Sequence, residues 1–96
     1  MEFMIVAYDA RDENAPARRL KVRKAHLKQA RIMKEKGHLI EGGAILDDEG
    51  QMIGSTLYCR FDSREQLDRW VANDPYVLGN VWIQVDVKPI RLVKFD

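Results

Sequence analysis

The chain of 96 residues makes one small domain, and its 46% hydrophobic and 32% charged side chains describe a globular protein and exclude a disordered one. Sixteen Lys and Arg stand against fifteen Asp and Glu, a balance that gives no general pull toward nucleic acid or an anionic membrane. No apolar run approaches the ~18–20 residues of a membrane span. The first residues lack the pattern of a secretory leader, and the single cysteine, Cys59, cannot form an internal disulfide, so a cytoplasmic protein is expected.

Glu2 to Tyr8 is a nearly continuous apolar run and reads as a strand buried on both faces. Asp9 to Pro16 is polar and reads as a loop, with Asn14 or Ala15 at a helix cap and Pro16 as the first helical residue. From Ala17 to Lys36 the period is helical. Val22, Ala25, His26, Gln29, Ala30, Ile32 and Met33 fall within one arc of about 160°, while Leu20 and Leu27 lie on the other side. Gly37 is the expected stop. Residues 1–40 carry ten basic and five acidic groups, and residues 41–96 carry six and ten. The basic excess, Arg18 to Lys36, lies on this helix and reads as a solvated face.

His38 to Leu46 predicts a second strand, with His38 toward solvent. Gly42-Gly43 within it suggests a bulge or the close approach of a ligand or another backbone. Asp47 to Gly50 is a turn, so Gln51 to Phe61 forms an antiparallel hairpin with the second strand. Asp62 and Ser63 offer capping-box spacing for a second helix, whose stripe is Leu67, Trp70 and Val71. Asn73-Asp74-Pro75 ends it. Tyr76 to Asn80 is a short connection with room for one helical turn. Val81 to Val87 is the last strand, interrupted by Pro89, with Ile90 to Phe95 extended beyond it. The order β-α-β-β-α-β predicts an α+β, ferredoxin-like domain, a four-stranded antiparallel sheet with two helices on one face. Two helices cannot cover both faces. A homodimer joined through the bare sheet faces is therefore expected.

His26 lies on the helix's apolar arc. It is either a core histidine satisfied by one hydrogen bond or, if a carboxylate meets it, half of an acid–base pair. Asp74 is either the cap of a tight turn or that carboxylate, and helix two packing beside helix one would bring them together. Arg23 stands one turn before His26 and can share its cavity. Ser55 follows Gly54 in a strand and can contact a substrate, and the Gly42-Gly43 backbone can meet an anion. Tyr76 and the two tryptophans can line a pocket or fill the core. Cys59 lacks an activating neighbour and reads as structural. Two histidines and one cysteine give no strong metal cluster, and no cofactor is expected.

Arg23-Lys24-Ala25-His26-Leu27 resembles the R-x-x-H-L element of YciI-like proteins, the YCII-related domain. Gly37 to Gly43 is similar to that family's G-x-L-x-x-G-G/P stretch, and Asn73-Asp74-Pro75-Tyr76 to its N/D-D-P-Y motif. Gly54-Ser55 after an acidic turn fits as well, as do Val81-Trp82, Val87 and Pro89-Ile90 in the closing strand. The resemblance runs from Met1 to about Arg91; Gly43-Ala44 departs from the common Gly-Pro. It implies a dimeric α+β barrel with a cavity in each subunit. There His26 and Asp74 would form the catalytic pair, with Ser55 and the Gly42-Gly43 backbone nearby. Related enzymes of the superfamily are lactone isomerases, dehydrochlorinases and cofactor-free monooxygenases. Two functions remain: an enzyme moving protons on a small organic molecule, or a non-catalytic small-ligand binder or accessory protein on the same scaffold. The presence of both dyad members favours the enzyme.

Overall fold

A computed structural model describes residues 1–95. The elements are β1 (Glu2–Asp9), α1 (Ala15–Glu35), β2 (Leu39–Leu46), β3 (Met52–Arg60), α2 (Arg64–Ala72), α3 (Pro75–Leu78) and β4 (Trp82–Ile90). The strands form one antiparallel sheet in the order β2-β3-β1-β4. This is the ferredoxin-like arrangement read from the sequence, with α3 as the single turn after Asp74. Among the described residues, no helix is long and apolar enough to cross a membrane.

Strand alternation sets the two faces of the sheet. Phe3, Ile5 and Ala7 of β1 and Leu57 and Cys59 of β3 are buried and join Leu67, Tyr76 and Trp82 in one core. The opposite face carries Met4, Val6, Tyr8, Thr56 and Tyr58, interleaved with Glu2, Asp86 and Lys88. β1 is therefore not buried on both faces: Met4 and Val6 are half-buried and Tyr8 is exposed. Its apolar run reflects one core face and one mixed face.

Helix α1 buries a stripe through Ala15, Arg19, Val22, His26, Ala30 and Met33, spaced three and four residues apart. The stripe is rotated from the expected arc. Ala25 and Ile32 face solvent, and Arg19 takes a core position instead. Gly37 ends the helix at φ +80°, a conformation open to glycine without strain. Ser63 caps α2 by accepting from Gln66 N at 3.1 Å.

Other expectations change in detail. The β2–β3 register slips at Leu39/Glu41 and at Ile45/Leu46, not at Gly42-Gly43. His38 is half-buried, with its ring stacked on Phe61 at 4.7 Å and its Nδ1 2.9 Å from the Arg60 carbonyl. β4 passes through Pro89 without interruption, because an edge strand pairs on one side only and tolerates a missing donor. It ends at Ile90, and residues 91–95 form no regular element. Helix α1 meets the second half of the chain chiefly through α3, not α2. This contact brings the site together.

Candidate active site

The Asp74-Pro75 turn sets the geometry. Proline ends α2 and opens α3, leaving Asp74 extended between them at φ −69° and ψ 136°. Its side chain caps α3, Oδ1 accepting from the Tyr76 backbone N–H at 2.9 Å. The same Oδ1 lies 2.7 Å from His26 Nδ1, across 48 positions of sequence. Both residues are buried, Asp74 at 1% exposure and His26 at 6%. Asp74 Oδ2 is also buried and has no hydrogen-bond partner among the described residues. The two readings of Asp74, turn cap and histidine partner, are both met by one oxygen atom.

The imidazole is held from other sides too. It stacks on Tyr76 at 3.8 Å with 11° between the planes, and Trp82 meets it edge-on at 5.5 Å. With Nδ1 engaged by a carboxylate, the favoured neutral tautomer keeps its proton on Nδ1 and its lone pair on Nε2. Nε2 has no protein partner among the described residues, and His26 lines a cavity of about 370 Å³. That volume suits a small organic ligand.

The other residues singled out in the sequence line the same cavity: Arg23, Gly42, Gly43, Ser55 and Tyr76. Asp74 does not; it stands behind His26. A Cβ at Gly42 would come within 2.9 Å of Leu57 Cδ2, so glycine keeps that wall clear. Gly43 has open space around it, and both belong to an edge strand with backbone groups unpaired on its outer side. Arg23 forms no hydrogen bond or ion pair with the described residues. Lys34, further along the wall, donates to the Ile40 carbonyl at 2.8 Å.

Burial raises the Tyr76 phenol pKa, while the positive charges of Arg19 and Arg23 pull it back in part. Burial alone pushes the Cys59 thiol up to about 12, so it offers no thiolate nucleophile.

Sequence reasoning missed Arg19. It is 4% exposed, and its Nη1 lies 2.9 and 2.8 Å from the two oxygens of buried Asp9. Its Nη2 donates to Ser55 Oγ at 3.1 Å, and the guanidinium carbon lies 4.8 Å above the Tyr76 ring. The signal existed: Arg19 precedes His26 by two helical turns and shares its face. It was hidden because Asp9, its counter-charge, reads as the first residue of a loop.

The YCII-related domain family profile matches residues 1–91. Protein YciI of Escherichia coli O6:H1 is 34% identical over 99 aligned positions, covering 97% of this chain and 99% of that protein. An uncharacterized protein of Haemophilus influenzae is 32% identical with the same coverage. Among solved structures, the 5-chloro-2-hydroxyhydroquinone dehydrochlorinase TftG of Burkholderia phenoliruptrix AC1100 superimposes with a TM-score of 0.81 at 25% identity. The match covers 95% of this chain and 94% of that one, and that structure is a complex with 2,5-dihydroxybenzoquinone.

Proposed function

The chain belongs to the YCII-related domain family, and from that premise we propose that it is an enzyme moving a proton on a small organic substrate, ring-shaped or lactone-like. The observation that carries this reading is the 2.7 Å contact between His26 and Asp74 beside a ligand-sized cavity. His26 is the acid–base group and Asp74 its orienting partner. The Nε2 lone pair takes a proton from a ring hydroxyl or from a carbon next to a carbonyl. The electron pair passes into the ring or onto the carbonyl oxygen. On a chlorinated ring phenol the imidazolium first returns that proton to the carbon bearing chlorine, giving a keto tautomer. Removal of a proton from a second ring hydroxyl then drives an electron pair through the ring, and chloride leaves with the C–Cl pair, one HCl lost in all. Without a leaving group the first proton transfer alone isomerises the molecule. Either course is redox-neutral and returns the proton from imidazolium to water or product.

Asp74 stabilises the imidazolium formed midway. Arg23 and the outward backbone N–H groups near Gly42 and Gly43 steady the negative charge on substrate oxygen, in the manner of preorganised donors. Tyr76, buried with its ring stacked on the imidazole and the Arg19 guanidinium over it, holds His26 in place at the cavity wall. The likeness to a dehydrochlorinase supports elimination as the first chemistry to test.

The working unit in this reading is a homodimer joined through the open sheet faces, around Met4, Val6, Tyr8 and Tyr58. Such an interface buries ~2,000 Å² or more in total. Light scattering at micromolar concentration reads this directly, and a monomer there removes the dimer.

The test of the chemistry is chloride release from 5-chloro-2-hydroxyhydroquinone by the purified protein. Release by the native chain and a ~10²–10⁴-fold loss in His26→Ala is the expected result. Binding of ring compounds without turnover, unchanged by His26→Ala, supports the non-catalytic binder instead.

A further inference from the structure

Ser55 sits on the helix-facing side of β3, 3% exposed, opposite Ala7 and Ala44. Its hydroxyl oxygen receives two hydrogen bonds, from Arg19 Nη2 at 3.1 Å and from Trp82 Nε1 at 3.1 Å. A serine hydroxyl has two lone pairs and one proton, and guanidinium and indole N–H groups are donors only. Both lone-pair directions are therefore occupied by groups that cannot receive the proton. The rotor is fixed, and the remaining direction carries O–H. No described residue accepts that proton, and Ser55 lines the cavity.

We propose that Ser55 is a one-way donor locked by Arg19 and Trp82, which makes the cavity select ligands presenting an acceptor oxygen: a carboxylate, an enolate or phenolate, or a quinone carbonyl. This deepens the reading of the cavity as the active site and rests on it. Arg19 is a positioning residue here and not the ligand's counter-charge, because Asp9 already neutralises it through Nη1. Arg23 remains to meet the ligand's charge at the cavity wall. Ligands that bring only donors to this point, such as an amidine, face a hydroxyl that cannot turn to accept them.

Calorimetry on the full chain tests this with two probes of similar size, 2,5-dihydroxybenzoquinone and benzamidine. The native protein binds the quinone, an anion rich in acceptors, and not the amidine. Ser55→Ala weakens quinone binding roughly 10- to 100-fold, the range for a hydrogen bond to a charged acceptor. Trp82→Phe removes one lock and leaves the serine; it weakens the quinone roughly 3- to 10-fold, and has no effect when Ser55 is already Ala. A merely structural role for Trp82 would weaken both backgrounds equally. Should Ser55→Ala fail to fold, Trp82→Phe gives the reading alone, since the released hydroxyl then also admits benzamidine. Equal quinone affinity in the native protein and either folded variant overturns the proposal, as does a native protein that binds benzamidine as well as the quinone, or neither. None of these results touches the chloride-release assay on His26→Ala, so the two readings fail separately.

Discussion

A single oxygen of Asp74 serves both His26 Nδ1, at 2.7 Å, and the Tyr76 backbone N–H, at 2.9 Å. The cap that starts α3 and the contact that orients the imidazole are one interaction site. The position of the dyad is thus fixed by local helix chemistry, and the partner stacked on the imidazole, Tyr76, is the residue whose backbone is capped.

This sharing separates two substitutions. Asp74→Asn keeps an oxygen for the Tyr76 cap and for Nδ1–H but removes the charge that stabilises imidazolium. It is expected to cost about 1–3 kcal/mol of stability, because the amide NH₂ takes the buried, partnerless place of Oδ2, and to lower turnover by ~10²–10⁴. Asp74→Ala loses the cap, worth ~1 kcal/mol, and strands a buried ring N–H at a further ~1–3 kcal/mol. Urea denaturation beside the chloride assay distinguishes them. Equal stability loss in both variants would contradict the shared role.

The Asp9–Arg19 pair is buried on both sides, and removing one charge leaves the other uncompensated. Asp9→Asn is expected to destabilise the fold by roughly 3–5 kcal/mol, a large part of a small domain's stability. Chemical denaturation measures it. A change under about 1 kcal/mol would mean that water reaches Arg19.

Two glycines predict different outcomes. A Cβ at Gly54 would collide with the Ala7 carbonyl oxygen in the middle of the sheet, so Gly54→Ala is expected to cost about 1–3 kcal/mol by overpacking. At Gly42 the clash is with a movable methyl of Leu57 on the cavity wall. Gly42→Ala is expected to leave stability within ~1 kcal/mol while weakening 2,5-dihydroxybenzoquinone binding. Thermal melts and calorimetry check both.

Cys59 is expected to be inert. Burial holds its thiol pKa near 12 against an unfolded value of 9.0, so the unfolded chain loses this proton first as pH rises. The stability gap between the native protein and Cys59→Ala is full below about pH 9 and shrinks from there toward pH 12. At pH 8 iodoacetamide should leave the folded chain unmodified, and Cys59→Ala should retain turnover. Rapid alkylation without unfolding would contradict the burial.

Much of this was legible in the sequence because the relevant signals are local. Gly37, Ser63 with Gln66, and Asp74-Pro75 each mark an element end through backbone chemistry that acts over a few residues. His26, Arg23, Ser55, Tyr76 and the glycine pair were legible as a set through family-like motifs and spacing. Arg19 was not, because its burial depends on Asp9 at the end of another element, a tertiary pairing that composition assigns to solvent. The Ser55 rotor was equally hidden: its two locks come from α1 and β4. His38 was misread for the same reason, since stacking on Phe61 follows from the sheet register and not from its neighbours in sequence.

In the proposed mechanism Asp74 holds a proton on His26 Nδ1 and leaves Nε2 as the base. The ring-nitrogen NMR correlation spectrum of the neutral imidazole tests it most directly, with Asp74→Asn as the control. His26 is expected to be protonated at Nδ1 and bare at Nε2, with a changed Nδ1–H signal in the variant. A His26 protonated at Nε2, with Nδ1 bare and unaffected by Asp74→Asn, would contradict it.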